Sequence, residues 1–448
     1  MTTRRDFIRK TTLAATGITL GGLGMKAVSY KRIPGSNDRV RIGVIGFSDR
    51  FRYSLYPCFL DHAESLNMEI AAVSDIWSQR RDEAKAFLTP RYPTVRIARN
   101  NEELYEGHDV DAVIISTADF QHALHLAEAV NAGCDAYVEK PFAETMEDNR
   151  IALAAVQKSG RIVQVGSQRR SGLNYIAAND YIRSGKFGRI TMVEMCWNVN
   201  QPGRWRRPKE VAMVREGDVD WKRYLMNRPF EPWDPRKYIE YRLFWPYSSG
   251  IPGQWMCHQI DTVHWFTGLQ YPRSVAANGG IYAWQDGRTN ADTMTAVFDY
   301  GPKDDPKSGF QVVYSSRMHN SAGGVKELYF SNGGCLNLDT NRVTPDGGLE
   351  ERHAGVMNME PNLLQPYDLP AMKAEAGANT GSDPMTSAHM RNWMECIRSR
   401  ETPHADVLDG YHHSIAVIMT TAALHTGKKV TFDETKQEVM AGDVVFGM

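Results

Sequence analysis

Lys140 stands in the tripeptide Glu139-Lys140-Pro141, directly after the apolar pair Tyr137-Val138. A lysine buried at a strand end loses hydration, its pKa falls, and it can exchange a proton with a bound hydroxyl. The plain alternative is a strand-end lysine paired with Glu139. A second group is His258-x-x-Asp261-x-x-His264. Positions 258 and 261 share a helix face, but 258 and 264 share it poorly, so no metal is expected. Asp261 can orient a ring or cap the helix, and His264 reads as structural. A third group is the loop Gly46-Phe47-Ser48-Asp49-Arg50-Phe51, which follows a β-branched run. Glycines there let a backbone approach a pyrophosphate at a helix N-terminus. Only Gly46 matches G-x-G-x-x-G cleanly. Ser48 is small and can donate to a phosphate, Arg50 can add a charged contact, and Phe51 must reshape the helix–strand contact a glycine normally makes. Asp75, ending the next apolar run, can bind ribose hydroxyls and would repel a 2′-phosphate, which favours NAD over NADP. Its alternative role is an N-cap for a helix over 76–87.

The elements that must position these groups follow from the apolar runs. Residues 39–45, 68–73, 112–116, 137–138 and 161–165 read as buried parallel strands, alternating with helices over 122–132 and 146–159. That alternation predicts an α/β fold with an N-terminal doubly wound Rossmann sheet. Longer strands follow over 190–199, 274–282, 293–300, 311–316, 326–330 and 335–338. They predict a second α/β domain with a large, mainly antiparallel open sheet. An aromatic- and Arg-rich insert spans about 202–247, and helices are expected over 385–398 and 410–426. The expected division is 1–30 signal, 38–166 Rossmann domain, 167–432 substrate and oligomerisation domain, and 433–448 tail.

The chain has 448 residues, 42% hydrophobic and 23% charged, with a formal net charge of −1. No global basic field favours nucleic acid. No stretch after the N-terminus is apolar enough to anchor the chain in a membrane. Six scattered cysteines form no CxxC pair and read as buried small side chains, with one disulfide left open. Thr3-Arg4-Arg5-Asp6-Phe7-Ile8-Arg9-Lys10 and the apolar run 11–24 resemble a twin-arginine export signal, which implies a periplasmic location. A cofactor carried through that route must be tightly held.

Ser116-Thr117-Ala118-Asp119-Phe120-Gln121-His122, the EKP tripeptide with its preceding Gly133–Val138, Val165-Gly166-Ser167-Gln168-Arg169-Arg170, the segment 253–261 and the segment 392–400 together resemble one family. It is the glucose–fructose oxidoreductase, inositol dehydrogenase and rhizopine-catabolism (Gfo/Idh/MocA) family, and the resemblance runs from about 39 to 432. It implies NAD at Gly46, Ser48, Arg50, Asp75, Thr117, Asp119, His122, Glu139, Lys140 and Gln168. It also implies catalysis by Lys140 and His258, and a homo-oligomer. The family's usual aspartate, four residues before the histidine, is here Gln254, which can bind a sugar hydroxyl but cannot act as a base. Arg169 and Arg170, just after a strand end, are expected with Trp205, Gln254 and Asp261 around a carbohydrate substrate. Trp221, Trp233, Trp245 and Trp255, with Arg204, Arg206 and Arg242, either bind sugar or fill the insert's own core. Tyr411, His412 and His413 are candidates to close the site. The expected reaction is oxidation of a glycoside hydroxyl, at C3, to a 3-keto-glycoside. The alternatives are a redox-neutral NAD-dependent glycosidase using transient C3 oxidation, and a non-catalytic binding protein.

Overall fold

The computed structural model describes residues 38–302, 304–371 and 383–447. The export-signal reading, residues 1–30, lies outside them. Six strands form the first sheet: β1 (Val40–Ile45), β2 (Met68–Ser74), β3 (Arg96–Ala98), β4 (Ala112–Ile115), β5 (Asp135–Val138) and β6 (Val163–Val165). All are parallel, in the order β3-β2-β1-β4-β5-β6. This is the doubly wound arrangement in which strand order reverses beside β1, so β1 and β4 end at a crevice. Helix α1 (His122–Asn131) follows β4, and α2 (Met146–Ser159) follows β5. Thr145 caps α2 by accepting from Asp148 N, and Gly160 ends it in the left-handed region. Strand β3 was not anticipated; its three residues begin with arginine, too little pattern for period-two reading.

The second sheet has eleven strands. At its centre lie β7 (Ile190–Asn198), β8 (Ser274–Gly280), β9 (Thr293–Tyr300), β10 (Phe310–Arg317) and β11 (Val325–Ser331). Their order is β11-β7-β10-β9-β8, with three short strands beyond each end. Within this sheet only the β7–β10 pair is parallel among the described strands. Inward residues of β9 alternate as Met294, Ala296, Phe298 and Tyr300, all buried, as a half-covered sheet requires. Residues expected as a tail instead extend this sheet: Glu438–Ala441 pairs with Val430–Asp433, and Val444–Val445 pairs beyond it.

Helix α3 (Cys257–Thr267) lies under the cavity described below. Helix α4 (Pro384–Ser399), late in sequence, belongs to the core of the first sheet. Its Met390, Trp393, Met394 and Ile397, at helical spacing, pack with β1, β2 and Tyr137. Helix α5 (Val407–Thr426) is buried along most of its length. Ser414 Oγ accepts from Ala143 N and the Tyr411 carbonyl accepts from Asn149 Nδ2, tying α5 to the segment after β5. All six cysteines are free. Among the described residues no helix is long and apolar enough to cross a membrane.

Candidate functional site

A cavity of about 900 Å³ opens beyond the ends of β1, β4, β5 and β6. A second hollow of about 450 Å³ meets it at Asp75, Ile76, Thr117 and Gln121. The loop after β1 forms their shared wall. Gly46 has φ +83°, and a Cβ there would come within 2.8 Å of the Thr117 methyl, so glycine is required. Phe51, standing where a glycine is usual, is fully buried against Phe47 and Tyr56 at 5.8 and 5.6 Å. The helix accommodates it by widening into a π-type turn over Phe51–Leu55 before continuing as Tyr56–Ala63.

Two polar side chains of this loop are engaged within the protein. The Ser48 hydroxyl donates to Ser116 Oγ and accepts from Phe51 N, so it caps the helix. The Arg50 guanidinium is bonded to Glu139 Oε1 at 2.8 Å and to Ser54 Oγ at 2.7 Å. Glu139 explains this: burial opposes its ionisation, and Arg50 with Lys140 holds its pKa below the ordinary value. Both residues still line the cavity. Asp75 borders both hollows and accepts from Phe47 N and Trp77 N at 2.8 and 2.9 Å. It does not cap the following helix, Ser78–Leu88, which has Trp77 at its N-cap. Thr117 Oγ1 and Gln168 Oε1 are buried without a hydrogen-bond partner and belong to cavity-lining residues. Orphaned polar atoms beside a tight glycine turn and a carboxylate at a strand end fit a dinucleotide with its adenosine side at Asp75.

At the other end, Lys140 Nζ donates to the Gln254 carbonyl at 2.6 Å, and burial lowers the lysine pKa from its ordinary value. The Lys140-Pro141 peptide is cis. His122 ties this loop to β4: Nδ1 lies 2.8 Å from the Pro141 carbonyl and Nε2 3.3 Å from that of Thr117. Gln254 sits in a second widened turn, Pro252–Met256, that runs into α3. Its side chain accepts from Arg242 Nε at 2.9 Å and donates to Asp119 Oδ2 at 2.5 Å. Asp119, expected at the cofactor, therefore lies behind Gln254 and does not reach the cavity; it also accepts from Ser248 Oγ. His258 faces the cavity, and neither ring nitrogen has a hydrogen-bond partner among the described residues. Burial first, then the charges of Lys140 and Arg169, push its pKa well below 6.5.

The remaining candidate substrate residues divide. Trp205 and Trp255 line the cavity with ring centres 5.3 Å apart, and Trp197 stacks between Trp255 (6.1 Å) and His258 (5.9 Å). Trp197 was missed, although Val193, Met195 and Trp197 form the inward face of β7. Trp221 and Trp233 pack within the insert, and Trp245 packs on His425 and Phe446. Arg169 touches the cavity, but its guanidinium is paired with buried Glu327. Arg170 and Asp261 are not at the site. They form a buried bidentate pair at 2.7 and 3.0 Å, extended by Asp409. His264 bonds Tyr300 Oη at 2.8 Å, so His258, Asp261 and His264 face different partners. Tyr411, His412 and His413 do not line the cavity either.

The insert roofs the cavity. Val219 bridges Trp77, Asp220 N donates to the Ile76 carbonyl, and Arg207 pairs with Asp49 at 2.5 Å. Gln121 Nε2 donates to the Tyr224 carbonyl, and Arg228 pairs with fully buried Asp148 at 3.0 Å.

Residues 40–167 match a family model described as an oxidoreductase family with an NAD-binding Rossmann fold (GFO_IDH_MocA). Over these residues the chain is similar to the NAD-binding Rossmann domains of that oxidoreductase family. An inositol 2-dehydrogenase of Agrobacterium fabrum is 29% identical over 217 residues, covering 47% of this chain and 59% of that protein. The chain thus spans little more than half the length of this relative. A glycosyl hydrolase family 109 protein of Shewanella pealeana is 24% identical over 458 aligned positions, covering 94% and 93%. The fold of the WlbA dehydrogenase from Bordetella pertussis, solved with NADH and UDP-GlcNAcA, superimposes with a TM-score of 0.63. The two are 16% identical over 88% of this chain and 99% of that one.

Proposed function

We propose that this chain is an NAD-dependent oxidoreductase acting on a carbohydrate, oxidising a glycoside hydroxyl at C3 to a 3-keto-glycoside. The observation that carries the reading is the meeting, in one cavity, of a desolvated lysine, an unpartnered neutral histidine and a wall of tryptophans. Indole faces pack against sugar C–H bonds, while Lys140 and His258 are the groups able to take the hydroxyl proton. A bound nicotinamide supplies the hydride acceptor. Gln254 holds Lys140 through its backbone carbonyl and presents its amide beside it, where a sugar hydroxyl can bond. Asp119 and Arg242 fix that amide from behind and from the side. Incubating the loaded protein with a panel of glycosides and assaying for 3-keto products tests the reading. Unreacted sugar with cofactor demonstrably present would count against it.

A second reading is favoured by the roof: a redox-neutral glycosidase in which transient oxidation is reversed on the same cofactor. A nucleotide under a roof tied down by the Arg207–Asp49 pair is not poised for exchange each turnover. The full-length similarity to a glycosyl hydrolase family 109 protein supports this reading. So does the Arg4-Arg5 segment, since export in the folded state would carry the cofactor with the protein. Release of free sugar without net NADH formation distinguishes it from the dehydrogenase.

A further inference from the structure

The charges lining the cavity do not balance locally. Arg50 is paired with Glu139, Arg80 and Arg207 with Asp49, Arg206 with Glu240, and Arg169 with Glu327. Arg204 and Arg242 line the same cavity, and neither has a carboxylate within ion-pair distance among the described residues. Both are held as planar surfaces. Arg204 lies over the Trp255 ring at 5.2 Å and donates to Gln201 Oε1; Arg242 lies over the Tyr241 ring at 4.6 Å with Nε on Gln254. Stacking fixes the plane of a guanidinium without using its terminal donors. Both terminal nitrogens of Arg242 lack a partner among the described residues, and they are not sealed from the cavity. Burial and the neighbouring Arg242 charge bring Arg204 down to about 10, the direction expected of two cations facing a shared space. Burial opposes the Arg242 charge while Tyr241 and the more distant Asp119, Glu139 and Asp49 favour it; Arg204 has burial and the Arg242 charge against it, a cost that an anionic ligand would relieve.

We propose that Arg204 and Arg242 form an oxyanion subsite, and that the carbohydrate substrate carries a carboxylate or sulfate group which they grip. This rests on the carbohydrate reading above and narrows it to acidic sugars. Gln254 joins the two regions. Its amide takes Arg242 on one side, and its carbonyl takes Lys140 on the other, so the subsite and the reacting hydroxyl belong to one substrate. A charged substituent docked there would set which hydroxyl meets Lys140 and His258.

The test uses the protein loaded with its cofactor and three matched ligands: methyl glucoside, methyl glucuronide and methyl glucoside 6-sulfate. Binding is measured by calorimetry and oxidation by 3-keto product. One or both charged ligands should bind at least tenfold tighter than the neutral one, with the ratio shrinking as salt is raised. The better charged ligand identifies which oxyanion the site takes. Arg204→Gln and Arg242→Gln should each lower that ratio, and together bring it close to one. Equal binding of neutral and charged sugars, or a preference that survives both substitutions, overturns the subsite and leaves the carbohydrate reading standing. Binding of none of the three ligands, with cofactor present, overturns both.

Discussion

Replacing Arg170 with methionine separates a role in substrate binding from a role in the core. Its guanidinium makes two bonds to Asp261, at 2.7 and 3.0 Å, with side-chain exposures of 5% and 1%. Removing the cation leaves Asp261 as a buried carboxylate with only His413 Nδ1, 3.5 Å away, as a further partner. Breaking such a pair from one side costs about 3–5 kcal/mol. Removing both charges, as in Arg170→Met with Asp261→Leu, should recover most of that loss, since an apolar pair of similar volume is often neutral. The assay is a double-mutant cycle by chemical denaturation, with KM measured on the folded fraction. A coupling energy of about 2 kcal/mol or more is expected, and KM should stay within threefold. The pH dependence follows from the same pair. Burial raises the Asp261 pKa, but Arg170 outweighs it and holds the folded-state value below the ordinary one. Its stabilisation is therefore present above the unfolded pKa of about 3.9 and is lost as pH falls through the acid range. Additive single mutants with a tenfold rise in KM would refute the assignment and return Arg170 to the substrate site.

Thr117→Val replaces an orphaned buried hydroxyl with a methyl, so the cofactor-free protein should be as stable as before or more so. Nucleotide content of the purified protein, read by mass spectrometry after denaturation, should fall. Arg207→Ala removes the ion pair that ties the roof to Asp49, and nucleotide should be lost severalfold faster on dialysis. His258 is held neutral by burial and by Lys140 and Arg169, with its pKa well below 6.5. The profile of kcat/KM against pH should thus show no limb near 6.5; one that vanishes in His258→Asn would contradict the electrostatics.

Much of this architecture was legible because strands buried on both faces read as unbroken apolar runs, as in Val40–Ile45 and Ala112–Ile115. Lys140, Gln254 and His258 could be placed because each occurs in a segment resembling a known family, and Trp205 because aromatic residues cluster with arginines in the insert. Sequence could not show where a side chain points once its strand has ended. Arg169 and Arg170 are adjacent, yet one touches the cavity while both bury their charge, on Glu327 and Asp261. The engagement of Ser48, Arg50 and Asp119 within the protein was hidden for a related reason. Each satisfies a neighbour that is distant in sequence, namely Ser116, Glu139 and Gln254, and that demand becomes visible only when the chain is folded. The paired and unpaired arginines of the insert were equally indistinguishable: Arg206 and Arg204 differ by two positions and by a carboxylate at 240.

Lys140→Met tests the central claim most directly. With nucleotide content and thermal stability measured alongside, the account predicts both unchanged and glycoside turnover reduced by about 10²–10⁴-fold. Turnover within threefold of the parent protein, with cofactor still loaded, would contradict it.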